Sequence, residues 1–255
     1  MAFLTAYHTD VGIKKKTNQD GLLLKTAKTP KGHVGLFVIC DGMGGLSHGE
    51  LASSTVIRGM SDWFDTKMPE LVASDQFEED IFPALETCVF TLNEKLITYS
   101  EESNVKLGTT LLALIVFASK YYLVHVGDSR AYRITTTLTQ LTMDQTLVAR
   151  EVERGNITEE QAKVDPRRNV LLQCVGATKD IEIEFHAGEI KEDTVFMLCS
   201  DGFYHEIKNE ELHVNLHHSR LVEETQMKEK IVELVELVKE RKEVDNISVI
   251  VIKVM

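Results

Sequence analysis

Residues 109–134 read TTLLALIVFASKYYLVHVGDSRAYRI, three apolar runs separated by Ser-Lys and by Asp-Ser-Arg. The runs 109–118, 121–127 and 131–134 are rich in β-branched and aromatic residues and read as strands. Connectors of two and three residues cannot hold a crossover helix, so neighbouring strands here are expected to pair antiparallel. That expectation sets aside the doubly wound nucleotide fold, in which strand and helix alternate.

Outward from this cluster the pattern is mixed. HVGLFVIC (33–40) reads as a buried strand. Residues 47–64 read as a helix, with Ser47 at the cap, Glu50 at the capping-box position, and Leu51, Thr55 and Ile57–Arg58 in amphipathic order. A second helix is expected over about 79–100, with Ile81, Leu85, Val89, Leu92 and Leu96 on one face. Residues 144–170 are polar and helix-prone and read as an excursion over the surface. TVFMLCSDG (194–202) is another buried strand, a helix covers about 222–241, and NISVIVIKV (246–254) closes the chain as a strand.

Composition places these elements in a water-soluble globular protein: 255 residues, 43% hydrophobic, 27% charged, with 4 Pro. The net charge of -12 (40 acidic against 28 basic residues) argues against nucleic acid as partner, because a phosphate backbone needs a basic face. Cys40, Cys88, Cys174 and Cys199 are far apart and form no CxxC pair, so free thiols in a reducing compartment are expected. No signal pattern and no membrane-length apolar run is present, and the reading is of a cytoplasmic protein.

Strand ends or starts abut an aspartate at VICDG (Asp41), VHVGDS (Asp128), MLCSDG (Asp201) and VDNISVIV (Asp245). One such Asp-Gly is most simply a turn. If four converged, their carboxylates would repel unless protonated or neutralised, and oxygen ligands without His or Cys select hard cations, Mg²⁺ or Mn²⁺. Rival chemistries fail on spacing. No Lys follows the glycines of DGMGG as a P-loop requires, and the dinucleotide fingerprint lacks its last glycine. No cysteine has Arg six residues on, no two aspartates stand as DxD, and GDSR (127–130) has no DxxH after it to complete a serine triad. A carboxylate–metal hydrolase remains.

The blocks TNQD (17–20), CDGMGG (40–45), GTTL (108–111), VGDSRAY (126–132), LTMDQTLV (141–148), RRNVL (167–171), SDGF (200–203) and DNIS (245–248) run nearly the length of the chain. In that order they resemble the metal-dependent serine/threonine protein phosphatases of type 2C (PPM family) in their bacterial form. The resemblance implies an α+β fold, a four-layer αββα sandwich of two mainly antiparallel sheets flanked by helices. It implies a single domain over 1–255, with a flap subdomain at about 144–170. It implies hydrolysis of phosphoserine and phosphothreonine in proteins by a metal-bridging hydroxide at a binuclear Mn²⁺ or Mg²⁺ centre, with a third ion beside it. Asp41 then bridges two ions, the Gly42 carbonyl binds the second, and Asp201 and Asp245 complete the first. Asp20 acts from outside through water, and Asp128 joins Asp201 at the third ion. Partners implied are phosphorylated proteins and a cognate Ser/Thr kinase with its substrates; the acidic charge and the lack of a membrane-length apolar run add the expectation of no nucleic acid and no membrane, and a monomer is the default.

The chain departs from the family pattern in places. The phosphate-holding Arg that the resemblance puts three residues before Asn18 is Lys15, flanked by Lys14 and Lys16. Lysine attracts phosphate as a point charge without the bidentate fork. Met43 stands where relatives from higher organisms carry a His, which leaves His48 as candidate general acid. Gln145-Thr146 stands where many bacterial members have His-Ser. His213, His217 and His218 lack a following Glu at His213 and read as titratable residues on a surface helix rather than a metal motif. From Lys15 comes the alternative function, a catalytically weak pseudophosphatase that binds phosphoproteins.

Overall fold

Along Gly32–Met43 (β3) the side chains of Val34, Leu36, Val38 and Cys40 face one way, those of Phe37 and Ile39 the other, and all six are fully buried. A strand with two apolar faces must lie between two layers, since successive side chains alternate across the sheet. The same alternation divides Ile247–Val254 (β11): Ile247, Val249 and Val251 pack outward, and Ile250, Ile252 and Val254 pack inward.

The structure, a computed structural model, describes residues 2–43 and 45–255, and of residues 45–47 the backbone alone. One sheet runs β1 (Phe3–Asp10), β11, β10 (Val195–Cys199), β7 (Arg130–Ile134), β8 (Leu138–Gln140). The other runs β2 (Asp20–Thr29), β3, β5 (Leu111–Phe117), β6 (Lys120–Val126), β9 (Glu184–Glu189), with β4 (Gly108–Thr109) added at the end of β3. Every pairing is antiparallel. Between the sheets lies a dry layer that includes Phe37, Leu112, Leu114, Tyr121, Phe196 and Ile250. Helices α1 (Gly45–Ala73) and α2 (Phe77–Ser103) cover the second sheet through Val56, Met60, Ile81, Leu85 and Val89. Helices α5 (Asp201–Tyr204), α6 (Asn209–Leu216) and α7 (Glu224–Glu240) cover the first, with Met227, Ile231, Leu234, Val235 and Val238 inward. Short helices α3 (Leu147–Glu153) and α4 (Glu159–Val164) occupy the polar excursion. This is the αββα arrangement.

The antiparallel expectation holds for β5 and β6. They close through Ala118 and Ser119 at φ 49° and 66°, the left-handed pair of a tight primed hairpin turn. It fails for β7, which pairs with β10 and β8 in the other sheet. The chain leaves the sheet at Gly127, whose φ is +116° and where a Cβ would stand 2.7 Å from the Thr110 methyl. Connector length set the sense of pairing but not the choice of sheet.

Boundaries moved as well. α1 begins at Gly45, ahead of the expected cap Ser47, and continues past 64 to Ala73; the side chain of Ser47 lies outside the described residues. The expected strand 33–40 extends through Asp41, Gly42 and Met43. All four cysteines are free thiols. Among the described residues no helix is long and apolar enough to cross a membrane.

Candidate active site

Asp20 and Asp41 are register partners where β2 starts and β3 ends. The backbone around Asp41 is held tightly: its N–H donates to Thr110 Oγ1 at 2.8 Å, and its carbonyl accepts from Thr110 N at 2.9 Å and Thr109 Oγ1 at 2.9 Å. Gly42 N–H donates to Gln19 O at 3.2 Å. A Cβ on Gly42 would stand 2.2 Å from the Gly49 carbonyl oxygen, so α1 approaches the end of β3 backbone to backbone.

The other sheet supplies the opposite wall. Ser200 N–H donates to Ser248 O at 3.0 Å, and Ser200 Oγ both donates to Asp20 Oδ2 at 3.1 Å and accepts from Ser248 N at 3.0 Å. Asp201 follows as the first residue of α5 and is buried. Asp245 precedes β11, and its Oδ1 accepts from Asn246 N at 2.8 Å. Asn246 joins this loop to residues 11–19: its Nδ2 donates to Val11 O (2.9 Å) and Thr17 O (3.1 Å), and its Oδ1 accepts from Gln19 N (2.9 Å).

Asp128 sits in the Gly127 crossing, buried, with its carbonyl held by Tyr204 Oη at 3.1 Å. Arg130 stacks on the Tyr204 ring, 3.6 Å from its centroid, and grips Asp144 with both Nε (2.9 Å) and Nη2 (2.7 Å). Gln145 then clamps the root of the excursion: Oε1 accepts from Gly127 N at 2.7 Å and Nε2 donates to Glu182 O at 3.1 Å. Thr146 caps α3 by accepting from Ala149 N at 3.1 Å. Gln145 and Thr146 are thus a backbone clamp and a helix cap.

Burial raises the carboxyl groups first, and their neighbours' charges add to it. Asp20 is pushed up to about 7 by desolvation, with the field of Asp201 adding and hydrogen bonds from Ser248 and Ser200 opposing. Asp41 and Asp128 stand well above the usual carboxylate range, Asp41 through desolvation and then the charges of Asp20, Asp201, Asp128 and Asp245. Asp201 is raised too, with His205 opposing. The five aspartates named from the sequence therefore share one field.

The donor set suits hard cations. Asp20 Oδ1 and Asp201 Oδ1 are buried without a hydrogen-bond partner, which is costly unless something positive meets them. The ligands on offer are carboxylate and carbonyl oxygen, the set that Mg²⁺ and Mn²⁺ prefer. Among the described residues no group of three or more His, Cys, Asp or Glu is drawn together into a ready cage.

Of the three consecutive lysines, Lys15, itself exposed, pairs with Asp245 Oδ1 at 2.8 Å. His48 is half-buried on α1 beside Gly49, the residue that touches Gly42. His213, His217 and His218 do not share one helix: His217 ends α6, its ring 5.6 Å from that of His213 and 4.2 Å from that of His218. All three are half-buried rather than on an open surface, and His218 pairs with Asp193 at 3.3 Å. Sequence reasoning missed His205 and Glu243. Glu243 Oε1 accepts from Val244 N and Asp245 N at 2.6 and 2.9 Å, and His205 Nδ1 stands 3.6 Å from Glu243 Oε2 and 4.0 Å from Asp201 Oδ2. The His205 spacing, four after Asp201, was the available signal.

The protein phosphatase 2C family model matches residues 12–236. The chain is 30% identical over 223 residues to serine/threonine phosphatase stp of Listeria monocytogenes serotype 4b, covering 86% of this chain and 84% of that one. Its fold matches the Mycobacterium tuberculosis serine/threonine phosphatase PstP/Ppp at 28% identity with a TM-score of 0.83, over 100% of this chain and 99% of that one. A structure of the catalytic domain of serine threonine protein phosphatase PstP in complex with two manganese ions matches at 26% identity and TM-score 0.79, over 99% of each chain. The αββα sandwich with its acidic edge and these matches define one class: the chain belongs to the protein phosphatase 2C family.

Proposed function

We propose that this chain is a divalent-cation-dependent phosphatase acting on phosphoserine and phosphothreonine in proteins. One observation carries the reading: Asp20, Asp41, Asp128, Asp201 and Asp245, brought from two sheets, lie in one another's field, and Asp20 Oδ1 and Asp201 Oδ1 are buried without a hydrogen-bond partner. Asp41 and the Gly42 carbonyl would hold a pair of ions together with Asp201 and Asp245. Asp20 would act through water and Asp128 with Asp201 at a third position. Manganese is favoured by the two ions in the PstP structure. When bound, such ions acidify water for in-line attack and neutralise phosphoryl oxygens as the alkoxide leaves.

The chain's own residues do the rest. Asn246 and Ser200 fix the walls so that the carboxylates need no reorganisation. Lys15 meets the phosphoryl group as a point charge, and His48, on α1 beside the site, is our candidate proton donor to the leaving group. We read residues 1–255 as one domain in which 144–170 forms a flap governing access. We infer a monomer in the cytoplasm, where it opposes a Ser/Thr kinase, a setting that four free thiols suit. The carboxylate set speaks against a binding-only pseudophosphatase.

The test is phosphate release from a phosphothreonine peptide with Mn²⁺. Turnover is expected in the parent, lost on chelation, and reduced at least about 100-fold in Asp201→Asn. A parent without manganese-dependent turnover overturns the reading.

A further inference from the structure

Lys15 already has a partner before any phosphoryl group arrives. Its Nζ is on Asp245 Oδ1 at 2.8 Å, the oxygen that also takes the Asn246 N–H. The pairing is built in by backbone. The loop that carries Lys15 is tied to the Asp245 loop through Asn246 at Val11, Thr17 and Gln19. Gly12 stands at φ +76°, and a Cβ there would lie 2.1 Å from the Asp245 carbonyl oxygen, so only glycine lets the two loops come this close. The lysine stem therefore starts from a fixed base directly over Asp245, whose side chain is 27% exposed. From there the ammonium also feels Asp41 and Asp201.

We propose that Lys15 is a tethered counter-ion: it neutralises Asp245 in the metal-free protein, and a divalent cation must displace it to bind. This rests on the reading of the carboxylates as a divalent-cation site. An ammonium is a compact charge on a flexible stem, so it can hold the place and swing out. A guanidinium also carries the charge but is planar and delocalised. The exchange loses one ion pair and gains a cation, so Lys15 weakens cation affinity by the worth of a partly exposed pair. That is about two- to fivefold in dissociation constant. The device sets how much free cation the protein needs before it is loaded, and it keeps the acidic edge partly neutralised when cation is scarce.

The experiment is calorimetric titration of Mn²⁺ into chelator-stripped full-length protein, beside thermal unfolding of the stripped protein. Lys15→Gln is expected to bind Mn²⁺ about two- to fivefold more tightly than the parent and to melt lower when stripped. Lys15→Arg keeps the charge and is expected to stay close to the parent in both measurements. Equal or weaker Mn²⁺ binding by Lys15→Gln overturns the proposal, as does Lys15→Arg tracking Lys15→Gln. If the parent itself takes up no Mn²⁺, the cation-site reading falls and this proposal with it. If the parent binds Mn²⁺ and releases phosphate while Lys15→Gln binds no tighter, the proposal falls alone.

Discussion

Two glycines hold the candidate site as firmly as its carboxylates do. A Cβ on Gly42 would meet Gly49 O at 2.2 Å, and one on Gly49 would meet Gly42 O at 2.6 Å. Both obstacles are backbone, which cannot swing aside as a side-chain tip can. Gly42→Ala is therefore expected to destabilise the protein by about 3 kcal/mol or more, read as a lower urea midpoint at unchanged slope. A midpoint within error of the parent would mean that α1 does not press on β3 there. In the sequence Gly42 was legible only as a bare carbonyl, because a motif shows which residue is small and not what stands against it. Lys15 was indistinguishable from Lys14 and Lys16 for a related reason: its direction is set by Asn246 and Gly12, far apart in the chain. His205 and Glu243 escaped because neither adjoins a glycine or a strand end that marks it.

Between elements, the joint that matters is Gln145. One amide side chain closes the root of the 144–170 excursion against the β6–β7 crossing and against Glu182. Gln145→Ala leaves the Gly127 N–H without its acceptor, at a cost of about 1–3 kcal/mol. Amide hydrogen exchange over 146–170 is expected to accelerate while β3 and β11 keep their protection. Uniform acceleration, or none, would show that Gln145 is not the clamp. Strands were readable where both faces are covered, as in β3, β5, β10 and β11, because burial on two sides leaves an unbroken apolar run. The half-exposed β1, β2 and β9 mix polar and apolar residues and were not read. The departure of β7 from the second sheet to the first hangs on the positive φ of Gly127, which the sequence leaves as an ordinary glycine before an aspartate.

For the molecule as a whole, the shared acidity has a thermodynamic sign. Asp20 binds its proton up to about 7 in the folded chain against an ordinary aspartate value of 3.8, so over that interval the metal-free folded state holds more protons than the unfolded one. Its contribution is fully present below the unfolded value and lost as pH rises through the folded one. Melting of the chelator-treated protein is thus expected to fall between about pH 5 and about pH 8, and saturating Mn²⁺ is expected to remove the fall. A metal-free melting temperature that climbs over that range contradicts the assignment. The layering itself was legible only through the family resemblance, since alternation reports that a strand has two dry sides and not which layer covers each.

The Ser200 bond to Asp20 joins the two sheets at their acidic edge. Asp41 travels with one sheet and Asp245 with the other. An ion held by both, as we propose, would be a rivet through the sandwich, and the energy arming the chemistry would be the same energy that keeps the layers from sliding. Metal starvation would then slacken the whole body in the act of silencing it.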